Sequence, residues 1–283
     1  MINVFYRPEQ SVASNKSYSP SAGKPALVFD DWTSNKEIAP FVKVRSFDPL
    51  TVEQIAVAHD LSYVKGIFDG SIPNGFNNTS KEVAESLKYT TGSMFAAAKF
   101  ALDTDTPAFS LTSGFHHAGY NHGGGFCTFN GLMITAILLK QAGLVNKVAI
   151  LDFDQHYGDG TQDIIDKLGI DWIKHITAMK SYETADEALK ACSSGKIKDL
   201  KHKYDLVLFQ AGADIHVDDP LGGILTTEQM RQRDENIIRT CFHYGIPLVI
   251  NLAGGYQTDD KGTIEPVLAL HRQTAQVWID VAH

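Results

Sequence analysis

The sequence has few basic residues, and it lacks any long apolar run. Its 25 lysine and arginine residues are outnumbered by 33 aspartate and glutamate residues, which gives a formal net charge of −8 at pH 7. This acidic balance argues against a protein that binds nucleic acid by neutralising phosphates. No apolar run reaches the length of a membrane span, and the first ten residues lack the apolar core of a secretion signal. We therefore expect a soluble, cytoplasmic protein with neither a nucleic-acid nor a membrane partner.

Cysteine is also scarce. The chain has three cysteines, Cys127, Cys192 and Cys241, and no two of them have the CxxC spacing. This excludes a zinc site built from cysteines and is typical of a reducing compartment. The glycine run 123–125 is not followed by the Gly-Lys-Ser/Thr of a phosphate-binding loop, and the GxSxG of a serine hydrolase is missing. The chemistry must therefore come from other side chains.

The remaining composition is that of an ordinary globular protein. Of the 283 residues, 43% are hydrophobic and 20% are charged, unlike a disordered chain. The two loosest stretches, 11–24 and 68–81, are rich in serine, glycine, asparagine and proline, but neither separates two self-sufficient halves. We therefore expect residues 1–283 to form a single domain.

Four short apolar runs each end in a cluster that contains glycine, histidine or aspartate. Continuous apolar runs bounded by turn residues are typical of strands buried on both faces, as in a parallel sheet. Helical spacings lie between these runs, and one predicted helix begins with a capping box at 226–229. The alternation predicts an α/β fold with helices on both faces of a mostly parallel sheet. The predicted strands are 107–112, 147–151, 206–209 and 246–250, and the predicted helices are 81–102, 131–141, 226–244 and 265–281.

Acidic and histidine side chains follow the second predicted strand at alternate positions. Asp152, Asp154 and His156 can present side chains to one face, since alternate residues of an extended chain point the same way. Two carboxylates and an imidazole with an open position would make a catalytic zinc site. A hydrogen-bonded turn, with Asp159 and Gly160 as its turn residues, explains the same string equally well.

Two adjacent histidines end the first predicted strand. His116 and His117 can serve one site only if the chain turns there, which the nearby glycines permit. Asp152 and Asp159 are candidates to orient the second nitrogen of each ring. Solvated or core imidazoles are the ordinary alternative. The sequence identifies no partner for the other histidines, among them His59 and His175.

Single candidates follow the third and fourth predicted strands. Asp214 ends the third strand, where capping or a turn is the ordinary role. Tyr256 follows two glycines, which let a phenol approach a ligand and donate a hydrogen bond to an oxyanion. A packing tyrosine at the pocket rim is the alternative. Because ligands of such sheets bind beyond the carboxyl ends of the strands, all four clusters lie where an active site is expected.

Five strings, taken together and in this order, resemble the histone deacetylase and acetylpolyamine amidohydrolase superfamily. The resemblance extends over roughly residues 50–260 and implies the arginase-like three-layer α/β/α sandwich. Asp218-Asp-Pro-Leu-Gly222 resembles the bacterial members in particular. The strings are Gly114-Phe-His-His-Ala118, Gly125-Phe-Cys127 with Asn130, Asp152-Phe-Asp-Gln-His156 with Gly158–Gln162, Gly212-Ala-Asp214 and Gly254-Gly-Tyr256.

The resemblance also implies a role for each matching position. It implies zinc ligands at Asp154, His156 and Asp214, and proton-handling imidazoles at His116 and His117. The implied catalytic neighbours are Asp152 and Asp159, which would orient those rings, and Tyr256, which would polarise the amide carbonyl. The implied substrate tunnel is lined by Gly125, Phe126 and Tyr256.

A structural potassium ion is implied as well. Its expected ligands are Asp152, Asp154, His156, Thr177 and Ala178. The sequence departs from the family pattern at Tyr157, where many members have a second histidine. It also lacks, after Lys180, the Pro-Gly-rich loop that carries a second tunnel phenylalanine.

These observations predict a zinc-dependent amidohydrolase that hydrolyses a linear amide C–N bond. The expected substrate is an acetyl-lysine-like or small acylated amine. Iron(II) and cobalt(II) are further candidates for the metal, because two carboxylates and one imidazole form a harder ligand set than most zinc sites have. Two alternatives remain: a catalytically weak protein that binds acylated amines in the same pocket, and a ureohydrolase with two manganese ions. Turnover of an acetylated amine separates the first alternative from the enzyme, and extra carboxylates in the metal motifs would favour the second.

Overall fold

A seven-stranded parallel sheet forms the centre of the computed structural model, which describes residues 1–15 and 17–283. Lys16, within the loose stretch 11–24, lies outside the described residues. The strands are β1 Ile2–Phe5, β2 Val42–Arg45, β3 Ala108–Ser110, β4 Val148–Asp152, β5 Ile173–Ile176, β6 Leu206–Gln210 and β7 Leu248–Asn251. They run in the order β2-β1-β3-β7-β6-β4-β5, and each neighbouring pair is parallel.

Helices cover both faces of this sheet, which confirms the predicted fold class. Alternate residues of a strand point to opposite faces, and β4 shows this directly. Ala149 and Leu151 belong to one hydrophobic cluster, and Val148 and Ile150 belong to the other. The helices are α1 Lys24–Ser34, α2 Val52–Ile55, α3 Leu61–Asp69, α4 Lys81–Thr104, α5 Gly131–Gln141, α6 Asp159–Leu168, α7 Ala185–Ala191, α8 Ser194–Lys198, α9 Thr227–Tyr244 and α10 Glu265–Ala282.

The predicted elements match the structure best where the sequence contains a clear helix signal, such as a capping box or a helical run of apolar residues. Helix α5 has the predicted bounds, and α9 begins after a capping box in which Thr226 and Gln229 bond each other's backbone N–H groups. Strand β3 is shorter than predicted, since it spans only Ala108–Ser110 of the run 107–112. Strands β1, β2 and β5 were not predicted, because polar residues interrupt their apolar runs.

The carboxyl ends of β3, β4, β6 and β7 lie side by side in the middle of the sheet. The loops that follow these four strands carry the candidate residues, as the polar clusters indicated. Among the described residues, none of the helices combines the length and hydrophobicity needed to cross a membrane.

Candidate active site

The loop after β3 turns so that the two adjacent histidines face one place. The ring centres of His116 and His117 lie 4.1 Å apart. His116 Nδ1 lies 2.7 Å from Asp152 Oδ2, and His117 Nδ1 lies 2.6 Å from Asp159 Oδ1. Each imidazole is therefore held by a carboxylate at Nδ1, which leaves its Nε2 for other partners.

The surroundings drive the pKa values of these two imidazoles apart. Burial alone would lower the pKa of His116, but the carboxylates of Asp152 and Asp154 outweigh it and raise the pKa to about 9. The pKa of His117 is lowered, first by burial and then by the neighbouring His116. Near neutral pH the pair therefore contains one cationic and one neutral ring, which is the arrangement of an acid next to a base.

Two carboxylates and an imidazole meet beside this pair, at the positions for which the resemblance implies zinc ligands. The ligand atoms of Asp154, His156 and Asp214 all lie within 4.8 Å of one another. His156 Nδ1 lies 3.1 Å from Asp154 Oδ1 and 3.1 Å from Asp214 Oδ2. Hydrogen bonds to both carboxylates raise the pKa of His156 to about 10, although burial opposes this. The imidazole thus lies between two buried acids, which favour its cationic form.

This donor set fits a divalent cation. A metal ion would satisfy all three side chains and offset the cost of burying two acidic groups together. Burial and the charge of Asp154 raise the pKa of Asp214 to about 7. The two neighbouring carboxylates therefore resist being negatively charged at the same time. The His156 side chain remains 36% exposed, so the cluster is open on one side. Three protein ligands and an open position are typical of catalytic zinc.

Glycine is required where the loop after β7 passes this cluster. Gly254 has a left-handed backbone with φ of 54°. A Cβ atom at this position would lie 2.4 Å from the Asp214 carboxylate. Only glycine allows the backbone to come this close to a metal-ligand candidate.

The residues expected to bind potassium do not fit that ion in this structure. The hydroxyl of Tyr182 lies 2.9 Å from the Asp152 carbonyl oxygen and 3.1 Å from the Asp154 carbonyl oxygen, and donates to them. The Thr177 hydroxyl accepts a bond from the Gly158 N–H at 2.9 Å. A potassium ion would have to share these oxygens with donors that the chain already supplies. Three of the oxygens that the resemblance implies for potassium thus already have hydrogen-bond donors within the chain.

Aromatic rings form the mouth of the pocket. The ring centres of Phe126 and Tyr256 lie 5.8 Å apart, and Tyr18 stacks near both, at 6.5 Å and 6.1 Å respectively. Phe76 lies 6.0 Å from Phe126. Tyr18 and Phe76 thus supply aromatic surface although the second tunnel phenylalanine is missing. The pocket behind them is lined by Ser21, Ser113, Gly114, His116, His117, Gly125, Phe126, Cys127, Asp154, His156, Gly254 and Tyr256.

Tyr256 keeps its proton in this pocket. Burial, assisted by the carboxylates of Asp154 and Asp214, raises the pKa of its phenol well above the usual value. Its backbone N–H donates to Asp219 Oδ2 at 2.8 Å, which fixes the chain just before the ring. The phenol is therefore a hydrogen-bond donor over the whole physiological pH range.

The sequence identified no partner for three buried polar residues of the fold. Lys24 donates from Nζ to the Gly254 carbonyl, and burial lowers its pKa to about 8 in spite of the nearby Asp214. His59 and Tyr182 bond backbone groups far away in the chain. No local pattern identifies these residues, because their partners are fixed only by the tertiary fold.

The parallel sheet and the site at its carboxyl edge define a deacetylase-like α/β domain, and comparison with known proteins agrees. The family profile described as "Histone deacetylase domain" matches residues 24–182 and 175–266. The chain therefore belongs to the histone deacetylase family and carries a hydrolytic deacetylase domain.

Individual relatives are distant in sequence. An uncharacterized protein of Picosynechococcus sp. is 28% identical over 247 residues, which cover 79% of this chain and 82% of that protein. Histone deacetylase 2 of Arabidopsis thaliana is 27% identical over 194 residues, covering 61% of this chain and 50% of that protein. The crystal structure of an acetylpolyamine aminohydrolase from Burkholderia pseudomallei has a TM-score of 0.76 at 18% identity and covers 99% of both chains, which shows the same fold.

Proposed function

We propose that this chain is a zinc-dependent amidohydrolase that removes an acetyl group, or another short acyl group, from an amine on a flexible stem. The proposal is supported by the side chains that meet at one pocket. Two members of the metal-binding triad, Asp154 and His156, line it together with two imidazoles of opposite pKa shift and the half-buried phenol of Tyr256. The third member, Asp214, lies behind them, 3.1 Å from the His156 ring nitrogen. Each of these groups corresponds to one requirement of amide hydrolysis.

Asp154, His156 and Asp214 would hold the zinc ion. A bound zinc ion polarises a carbonyl group and makes a bound water acidic near neutral pH. Both carboxylates are buried, at 3% and 0% exposure for Asp154 and Asp214, so their preference for a cation is strong. Iron(II) and cobalt(II) also suit this ligand set.

The two histidines divide the proton transfers between them. His117, neutral because its pKa is lowered, accepts the proton of the attacking water at Nε2, since Asp159 holds Nδ1. His116, cationic beside Asp152, delivers a proton to the nitrogen of the departing amine. Tyr256 donates its O–H to the carbonyl oxygen as negative charge develops there. Water and the amide thus yield a carboxylic acid and a free amine.

The mouth of the pocket favours an aliphatic stem on the acylated amine. Rings of Tyr18, Phe126 and Tyr256 present apolar faces to a chain of methylenes, as expected for a lysine or a polyamine. The relatives support both classes, because one is a histone deacetylase and another an acetylpolyamine aminohydrolase by name. We propose acetyl-lysine-like and small acylated amines as the substrate class.

The test is an acetate-release assay on the purified, zinc-loaded protein. An acetylated lysine peptide and an N-acetylated diamine serve as substrates. We expect turnover of at least one of them, loss of activity after chelation, and recovery on adding one equivalent of zinc. Binding of the acetylated amines without any release would favour the weak binding protein. Release of urea from a guanidino compound with manganese would favour the ureohydrolase.

Two further proposals concern the chain as a whole. We infer that residues 1–283 form one catalytic domain, because the site draws on loops from four neighbouring strands of one sheet. We also propose a reducing compartment such as the cytoplasm. All three cysteines are buried and free, which supports it.

A further inference from the structure

A buried tyrosine holds the segment that carries the first metal-ligand candidate. Tyr182 follows β5 and is 3% exposed. Its hydroxyl lies 2.9 Å from the carbonyl oxygen of Asp152 and 3.1 Å from that of Asp154. Its ring stacks on Phe153, the residue between them, with ring centres 5.2 Å apart and planes only 8° from parallel. One side chain therefore fixes three consecutive residues, by polar contacts at both ends and by ring stacking in the middle.

The carbonyl of Phe153 points to a second buried donor. Arg233, 1% exposed, directs Nη1 to the Phe153 carbonyl oxygen at 3.4 Å and to the Gly212 carbonyl oxygen at 2.8 Å. Gly212 lies two residues before Asp214, so Arg233 connects the segments of both carboxylate ligands. Asp234 holds the guanidinium from the other side, with a bond of 2.8 Å to Nε. This permanent positive charge lies beside the carbonyl groups of the Asp152–Asp154 segment.

These contacts give the backbone carbonyl oxygens of Asp152–Asp154 the positively polarised partners that an alkali cation would otherwise supply. A cation orders backbone carbonyls by accepting electron density from several oxygens at once. Here the phenol O–H is shared by two carbonyls, and the guanidinium N–H groups serve the third and the neighbouring segment. The pKa of the Tyr182 phenol is raised well above its usual value, mainly by burial, so it remains a donor.

We propose that Tyr182, together with Arg233, takes the place of the structural potassium ion in this chain, and that the metal-binding loop is ordered without any alkali cation. Both are positioning residues, which act on the metal site through the backbone of Asp152–Asp154 and Gly212. The inference depends on the proposed function only in that Asp154 and Asp214 are taken as metal ligands.

The first experiment uses the unaltered protein. Its zinc affinity and melting temperature are measured in potassium, in sodium and in the bulky cation choline at equal ionic strength. We expect the same zinc affinity, within about two-fold, and the same melting temperature in all three salts. A clear loss of zinc affinity or of melting temperature in choline would overturn the proposal, because it would show that an alkali cation is needed. Because this experiment uses the wild-type protein, its result does not depend on whether a variant folds.

The second experiment removes only the hydroxyl. Tyr182→Phe keeps the ring on Phe153 but deletes the donor to two carbonyls, and a net hydrogen bond of this kind corresponds to roughly ten-fold in an equilibrium constant. We expect zinc to bind about ten-fold more weakly, and potassium to strengthen zinc binding by the variant. Tyr204→Phe, just before the amino end of β6 and so at the end of the sheet away from the site, is the matched control and should bind zinc as the wild type does.

Equal zinc affinity of Tyr182→Phe and Tyr204→Phe would overturn the proposal. Zinc binding and melting temperature are read without substrate. If no acylated amine is turned over, the proposed function fails while the potassium result still stands. If the protein is an active deacetylase that depends on potassium, the proposed function stands and this inference fails.

Discussion

Tyr256 places a phenol donor in the pocket, and its hydroxyl can be removed without a change in ring volume. If it donates to the developing oxyanion, Tyr256→Phe should lower kcat by about 10²–10³. KM should change less, because the hydrogen bond strengthens mainly in the transition state. Zinc content and the free energy of unfolding should remain close to those of the wild type.

The control for this variant is Tyr157→Phe, which removes a hydroxyl one residue after His156. Steady-state kinetics on zinc-loaded proteins give kcat and KM for both. A kcat for Tyr256→Phe within a factor of about three of the wild type would mean that Tyr256 is only a packing tyrosine, far from the loss expected of an oxyanion donor.

Helix α6 approaches the loop of the adjacent histidines through a single glycine. A Cβ atom at Gly160 would lie 2.4 Å from the main-chain carbon of His117. Gly160→Ala should therefore push the loop away and destabilise the fold by about 1–3 kcal/mol, as overpacking does. Deacetylase activity should fall as well, because the His117 ring moves with its backbone.

The matched control is Gly195→Ala in α8, where a Cβ atom would meet nothing within 4 Å. Alanine there should leave stability unchanged or raise it by about 0.5–1 kcal/mol, since glycine is the poorer helix former. Urea unfolding of both variants compares their midpoints. Equal urea midpoints for the two variants would contradict this prediction, because they would show that the His117 loop can move to make room for a methyl group at Gly160.

The central strands could be predicted from the sequence, and the outer ones could not. Strands β4 and β6 are buried along their whole length, so their apolar runs are continuous. Strand β2 is half-exposed at the sheet edge, and β5 alternates a buried His175 with an exposed Lys174. Short strands with mixed exposure give no clear apolar run.

The same contrast holds for the site. Asp152, Asp154, His156 and Asp214 were predicted because they directly follow recognisable strands. Tyr182 was not, because it lies beyond an edge strand that the sequence does not reveal, and its partners are 30 and 28 residues away. The potassium prediction considered only the ligand oxygens, because the sequence does not show that Tyr182 donates to two of them.

The whole fold contains a buried histidine that must be neutral. His59 Nδ1 donates to the Gly119 carbonyl at 2.8 Å, while its Nε2 accepts from the Asn130 N–H at 2.9 Å. Protonation of Nε2 would place two donors face to face. Burial lowers the pKa of His59 to about 4, below the value of 6.5 that it has in an unfolded chain.

Because the folded pKa is lower, the unfolded chain binds more protons between pH 6.5 and pH 4. The free energy of unfolding should therefore fall as the pH decreases through this window, by about 3 kcal/mol from His59 alone. His59→Gln should show a shallower dependence on pH over the same range, and His202→Gln, at an exposed site, should keep the wild-type slope. Chemical unfolding at several pH values measures these slopes, and equal slopes for all three proteins would contradict the assignment.

The strand order also dictates when each part of the site can assemble. Strands β4 and β6 are neighbours, and Asp152 pairs with Gln210 at the end that carries all three metal-ligand candidates. The imidazole pair and Tyr256 depend on β3 and β7, where Ala108 pairs with Val249 across a much longer stretch of chain. Closing longer loops costs more entropy, and non-local parallel pairing is slow. During refolding we therefore expect capture of zinc to precede recovery of catalysis, so that the protein passes through a metal-loaded but inactive state.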